Sequence, residues 1–254
     1  MKQDGNQMVG ATKSSIEVLD AIRESGGEAE TSELVNRLSM AQSTVYKHLR
    51  TLEDEGFVVK HDGYYRIGSR CLEFGGFVRR YDDIFQTTKG DIQDMAEETG
   101  ELANLMFEEQ GMGVYVYTVG GENAVNIDTG IGKRVHLNCT ALGKALLSTM
   151  TENRIDEIID QHGLPQRTDN TITTRDALMD EINRIRNEGV AYERSQRVEG
   201  ICCVAAPITT EKKRCAAISI SGPERRMSED RLRNELTEIV QRAANVIELN
   251  IMYD

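Results

Sequence analysis

A chain of 254 residues, 39% apolar and 28% charged, has room for one large domain or two ordinary ones, each with its own core. No apolar run approaches the roughly 20 residues that span a bilayer, and the polar start "MKQDGNQMVGATKSS" lacks the apolar stretch of a secretory signal; a cytoplasmic protein with no membrane partner is expected. The net charge of −12 argues against nucleic acid when read globally, but residues 1–81 hold 11 Lys/Arg against 12 Asp/Glu, while 82–254 hold 19 against 30, so the acid sits in the second part.

Residues 14–25 read as a helix: Ser14 with Glu17 forms a capping-box pattern, Ile16, Leu19 and Ile22 form a stripe, and "SGG" ends it. Thr31 is placed to cap a second short helix with Leu34, Val35 and Leu38 inward. A third spans about 41–55, with Val45, Leu49 and Leu52 on one face and Gly56 as its stop. "FVVKHDGYYRIG" then puts two β-prone runs around Asp62-Gly63, a strong hairpin signal. Three short helices and a hairpin make a mainly α winged helix-turn-helix over residues 8–68.

Residues 69–99 are helical in pattern, interrupted at Gly75-Gly76, and read as a linker. Residues 100–254 mix strands ("LANLMFEE", "GVYVYTV", "AVNIDTG", "VAYERSQ", "ICCVAAPI", "CAAISISG") with helices at 140–150, 151–161, 173–187 and 228–253. Strands grouped without regular βα alternation indicate an α+β domain with an antiparallel sheet.

The third helix carries no carboxylate from residue 41 to 52. With Val45, Leu49 and Leu52 turned inward, Gln42, Ser43, Tyr46, Lys47 and Arg50 fall on the opposite side. Gln pairs with adenine, and Arg or Lys with guanine, in the major groove. Ser43 and Thr44 near that helix start, and Thr31 and Ser32 at the preceding one, are placed for phosphate oxygens. Lys60, His61 and Arg66 on the hairpin extend the surface, and His48 lies at the edge of the third helix as a packing or phosphate contact. Any solvated helix carries such residues, and one helix alone would favour that bland reading. The helix-turn-helix spacing, the carboxylate-free face and the adjacent hairpin together favour double-stranded DNA.

The run "QSTVYKHLRTLEDEGFV", followed by "YYRIGSRCLEFG", then "CTALGKALLS", "EGVAYERSQRVEGICCVAAPI" and "AAISISGPERRMSED", resembles the IclR family of transcription regulators over nearly the whole chain. Two positions depart from the family pattern: Ala41 at the helix start, and Ser195-Gln196 where acidic residues are usual. The resemblance implies a GAF-like second domain that binds a small effector. It also implies a homo-oligomer, dimerised through the N-terminal region with dimers paired through the sensor domains. Arginine outnumbers lysine 21 to 9, and with surplus acid this suits a salt-rich cytoplasm such as an archaeal one.

In the second domain, "GKALL" lacks the Ser or Thr after Gly143-Lys144 and the earlier glycine of a phosphate loop. The histidines (48, 61, 136, 162) are scattered, and the five cysteines form no CxxC pair, so neither a metal nor a cofactor is expected. Cys202 and Cys203 should face opposite sides of a sheet as buried thiols. Ser219 and Ser221 share a strand face, and the helix beginning near Thr140 offers free N–H groups at Ala141 and Leu142 to a carboxylate. Periodicity alone leaves the two serines equally readable as ordinary strand residues. The resemblance adds Glu193 and Cys203 to this pocket. The sequence thus predicts a non-enzymatic regulator whose operator affinity responds to a small organic acid, with the domain 100–254 as sensor. An enzyme acting on the bound molecule, or a protein-interaction adaptor, are the alternatives.

Overall fold

Apolar residues at helical spacing assemble the first of two units into which the chain divides, Met1–Tyr81 and Asp82–Asp254. A computed structural model describes residues 8–209 and 215–253. The first unit holds α1 (Gly10–Glu24), β1 (Glu28–Glu30), α2 (Thr31–Arg37), α3 (Gln42–Asp54), β2 (Val58–His61), β3 (Tyr64–Ile67) and α4 (Arg70–Arg80). Val18, Ile22, Leu34, Val45, Leu49, Val58 and Tyr65 close its core. β2 and β3 pair antiparallel about Asp62 and Gly63, both at positive φ, as a tight hairpin turn requires. The short β1, absent from the sequence reading, joins β3 on its other side.

Two expected caps do not form. α1 begins at Gly10 with Val9 at its N-cap, so Ser14 is already inside the helix and the Ser14–Glu17 capping box is not made. Helical propensity running upstream of Ser14 lets the helix start a turn earlier. Thr31 is the first helical residue of α2 rather than its cap, because Glu30, still paired in β1, occupies the cap position.

The 69–99 segment breaks at a different place from the glycines. α4 passes through Gly75-Gly76, and the interruption falls at Tyr81–Asp82, where the Asp82 side chain accepts from the Phe85 N–H at 2.9 Å and starts α5 (Asp83–Thr99). A side-chain cap is a stronger punctuation than glycine inside a helix. α5 buries Ile84, Phe85, Ile92, Met95 and Ala96 in the second unit's core, so the second unit begins at Asp82.

That unit is built on a six-stranded antiparallel sheet in the order β6-β5-β4-β9-β8-β7. Its strands are β4 (Leu102–Glu109), β5 (Met112–Gly120), β6 (Arg134–His136), β7 (Ala191–Arg194), β8 (Ile201–Ile208) and β9 (Ala216–Pro223). α5 and α9 (Leu236–Tyr253) pack on one face, α9 being preceded by a π-helical turn at Arg231–Glu235. α6 (Ala141–Ser148), α7 (Glu152–His162) and α8 (Arg175–Glu188) pack on the other. Cys202 points into the first layer and Cys203 toward the second.

Residues 124–130, read as a strand, have no ladder partner; β6 takes that edge of the sheet instead. Side chains claim two of the segment's carbonyls, Thr118 Oγ1 donating to Thr129 O at 3.0 Å and Arg197 to Asp128 O, and local turns claim those of Ile127 and Gly130.

Candidate functional site

On the first unit, α3 buries Val45, Leu49 and Leu52 and leaves Gln42, Ser43, Tyr46, Lys47 and Arg50 exposed; Thr44 is half-buried. The face is ordered from below by its core stripe and carries no buried polar group. Arg50 is 75% exposed and bonds Asp54 one turn on, at 3.2 Å. An exposed i, i+4 pair of this kind is worth a few tenths of a kcal/mol, so a stronger anion displaces it readily. Lys60 and His61 are exposed on β2, with His61 beside Asp62.

Other expected contacts are placed less openly. Thr31 is half-buried, and Ser32, though exposed, donates to Glu30 at 3.3 Å. Arg66 is held by Glu28 across the β1–β3 pair. His48 is half-buried with Nδ1 at 2.9 Å from the Ser15 hydroxyl, a packing contact between α1 and α3.

In the second unit, Ala141, Leu142, Glu193, Cys203, Ser219 and Ser221 all line one cavity of about 330 Å³, part of it open to solvent. Sheet register explains the convergence. Glu193 pairs with Cys203, Cys203 with Ser221, and Ala205 with Ser219, so these side chains stand on neighbouring strands β7, β8 and β9, on the face that α6 covers. Asn104 of β4, opposite Ser219, continues the polar row: its Nδ2 lies 3.4 Å from the Ser219 hydroxyl, and its Oδ1 accepts from Thr118 at 3.1 Å.

α6 aims its N-terminus at the cavity. Thr140 caps it, accepting from the Gly143 N–H at 2.8 Å, and the first two N–H groups, of Ala141 and Leu142, have no intrahelical acceptor. Gly143 fits against the Leu137 backbone so closely that a Cβ would lie 2.3 Å from Leu137 O. The glycine of "GKALL" therefore serves packing, and it fixes the helix end in place.

Lys144, the next residue, is fully buried. Its Nζ donates to Glu181 at 3.0 Å, to Tyr192 O at 2.6 Å and to the Gln196 side chain at 2.8 Å, tying α6 to α8, β7 and the loop beyond β7. Burial pulls the Lys144 ammonium below its ordinary value, and Glu181 opposes that pull. Burial pushes the Glu193 carboxyl up, against the N–H groups of Gln196 and Arg197 that stabilise its charge. Those N–H groups reach Glu193 Oε1 at 2.6 and 3.2 Å. Burial also drives the Cys203 thiol well above its ordinary range, so it stands as a neutral donor to Ser221 at 3.0 Å rather than as a thiolate.

Two cavity residues, and the buried lysine that braces the cavity's frame, escaped the sequence reading. Arg197 and Tyr115 line the cavity together, the guanidinium Nη1 donating to the phenol at 2.8 Å. Arg197 lies in a loop where no periodicity marks it. Lys144 did leave a signal: it is the lone charge in the apolar helix "ALGKALLS". Among the described residues no group of three or more His, Cys, Asp or Glu is arranged to hold a metal, and no helix is long and apolar enough to cross a membrane.

A winged helix-turn-helix followed in the chain by an α+β unit with a polar cavity is the architecture of a DNA-binding regulator with an attached small-molecule domain. Residues 15–62 match the IclR helix-turn-helix domain, and residues 78–249 match the C-terminal domain of bacterial IclR transcriptional regulators. The chain belongs to the IclR family of DNA-binding transcriptional regulators. It is 27% identical over 237 residues to the HTH-type transcriptional regulator XynR of Escherichia coli (strain K12), covering 92% of this chain and 94% of that one. The crystal structure of the Thermotoga maritima IclR, 31% identical, superposes with a TM-score of 0.78 over 96% of this chain and 99% of that one. An IclR homolog from Microbacterium hydrocarbonoxydans, complexed with 4-hydroxybenzoate, shares the fold at 19% identity, with a TM-score of 0.80 over 96% of this chain and all of that one.

Proposed function

We propose that the cavity of the second unit binds a small organic acid, and that the acid changes the affinity of the α3 face for operator DNA in a cytoplasmic homo-oligomer. The observation that carries this reading is the meeting of the α6 N-terminus with Ser219 and Ser221. Free N–H groups and the helix dipole favour a carboxylate, and two hydroxyls add hydrogen bonds to it. Glu193 supplies an acceptor for a hydroxyl of the ligand, or a donor to a keto group when protonated. The 4-hydroxybenzoate of the Microbacterium relative is itself a hydroxy-acid.

On the DNA side, Gln42, Ser43, Tyr46, Lys47 and Arg50 reach base edges, while Thr31, Ser32, Thr44, Lys60 and His61 contact phosphates. Self-association is supported by α4, which has no buried residue and exposes Leu72, Phe74, Phe77 and Val78, with exposed Tyr81 at its C-cap. A dimer, or a tetramer formed from two, reads an imperfect palindrome with half-sites one helical turn or a multiple apart.

The test is a calorimetric titration with any small acid that raises the melting temperature. Ser221→Ala should weaken that acid about tenfold or more, the loss of one charge-assisted hydrogen bond being worth roughly 1.5–3 kcal/mol. Operator affinity without acid should stay nearly unchanged. An acid that binds equally well to Ser219→Ala, Ser221→Ala and Glu193→Ala proteins would place the site elsewhere.

A further inference from the structure

The cavity holds a second group suited to an anion, at the opposite side from the serines. Arg197 lines it, and among the described residues its guanidinium bonds a phenol and a backbone carbonyl rather than a carboxylate. Of five N–H donors, one is given to the Tyr115 phenol and one to Asp128 O, which leaves three for a ligand. The Tyr115 oxygen accepts from Arg197, so its own hydrogen remains to donate, and burial keeps the phenol protonated.

The guanidinium is presented by a fixed loop rather than a flexible arm. Ser195 sits at positive φ, its N–H bonds Ile201 O at 2.7 Å and its hydroxyl accepts from Gly200. Thr168 and Thr171 each donate to the loop's carbonyls at 2.6 Å, and Lys144 holds the Gln196 side chain. Little ordering is left to be done when a ligand arrives. Tyr115 stands on β5 and the serines on β9, with β4 between, so the strand axes at the two ends lie about 9–10 Å apart.

We infer that the cavity has two anion-binding ends, the α6 N-terminus with Ser219 and Ser221 at one and Arg197 with Tyr115 at the other, and that its ligand is a short-chain dicarboxylic acid. This rests on the acid-binding reading above and narrows it. Arg197 is then the specificity-determining residue: it separates diacids from mono-acids of equal length, because only a diacid brings it a second carboxylate for charge-assisted hydrogen bonds. Glu193 also lines the cavity, and its Oε1 accepts from the Gln196 and Arg197 N–H groups of its own loop, which offset part of its charge.

The experiment is calorimetric titration of the full-length protein with matched pairs: succinate against butanoate, and 2-oxoglutarate against 2-oxopentanoate. At least one diacid should bind ten times or more tighter than its partner. Arg197→Gln should erase that advantage while shifting the mono-acid by less than about twofold. Tyr115→Phe, which keeps the packing, should reduce it in part, and keeps the test open if Arg197→Gln fails to fold. Ser221→Ala should weaken both members of each pair. Mono-acids matching diacids in the parent, or an advantage that survives Arg197→Gln, would overturn the inference. If Ser221→Ala weakens mono-acids while Arg197→Gln alters no preference, only the diacid assignment falls. If no acid in the panel binds, or Ser221→Ala affects none, the acid-binding reading falls with it.

Discussion

The face of α3 and the cavity under α6 both gather polar side chains, yet they do so under opposite physical conditions. Gln42, Ser43, Tyr46, Lys47 and Arg50 project into water from a helix whose other side is bolted to a core by Val45, Leu49 and Leu52. Glu193, Ser219, Ser221 and Lys144 are almost wholly out of water, and each is already hydrogen-bonded to another part of the second unit. An exposed face contributes nothing to the fold, and its partner must supply the desolvation. A buried polar set is part of the fold, and the ligand meets donors already oriented. The charge distribution fits this division: a near-neutral first unit approaches a polyanion without repulsion, while the acid surplus resides in the second.

The sharpest way to break that contrast is to remove a buried frame residue. Lys144→Ala leaves Glu181, Tyr192 O and Gln196 without their shared donor, and should cost roughly 3–5 kcal/mol of unfolding free energy in urea titrations. A loss under 1 kcal/mol would mean the cavity wall is as independent of the fold as the α3 face is.

Acid titration probes the same frame. Burial alone would raise the Glu181 carboxyl, but the Arg184 bond and the Lys144 ammonium outweigh it and hold it at about 2, against 4.5 for the free group. A folded-state value below the unfolded one gives stability that is complete above about pH 4.5 and lost as pH falls toward 2. The amount is roughly 3 kcal/mol. Glu181→Gln should remove that slope from a plot of stability against pH, and an unchanged slope would assign it to other carboxylates.

On the α3 face the expectation reverses. Arg50→Ala should weaken a cognate operator by roughly 1–3 kcal/mol if Arg50 reaches a base edge. Its effect on unfolding should stay within about 0.5 kcal/mol. Equal losses in both would merge the two kinds of site into one. The smallest effect belongs to Lys60→Ala, which should weaken all DNA sequences alike and reduce the salt slope of binding by about 1. Sequence-dependent losses in electrophoretic shifts would instead make Lys60 a reader of bases.

The first unit was largely legible from the chain itself. Its helices are short and amphipathic, and Asp62-Gly63 dictates its turn, so local rules coincide with the tertiary outcome. The exceptions are places where a neighbour competes: β1 takes Glu30 away from the expected cap position of α2, and Asp82 overrides Gly75-Gly76 as the helix break. In the second unit the strands β4, β5, β8 and β9 were legible from apolar runs and the serine face from its period of two. The residues 124–130 were not, because side chains and local turns rather than a neighbouring strand bond their carbonyls.

The sequence by itself therefore determined which segments become helices and strands, which face of α3 meets solvent, and that Ser219 and Ser221 stand together. All of these follow from periodicities within one element. What only the tertiary structure decided is who stands opposite them. Tyr115 and Tyr117, two apart, would share a face in a regular strand. The register of β4 against β5 shifts between Leu105 and Met106, leaving Val116 as an extra residue. Tyr117 is thereby turned against Phe85 on the α5 side and Tyr115 toward the cavity. Arg197 meets that phenol across 82 residues of chain, from a loop whose shape depends on Thr168, Thr171 and Lys144. Such a meeting depends on long-range packing, which no local pattern of residues encodes.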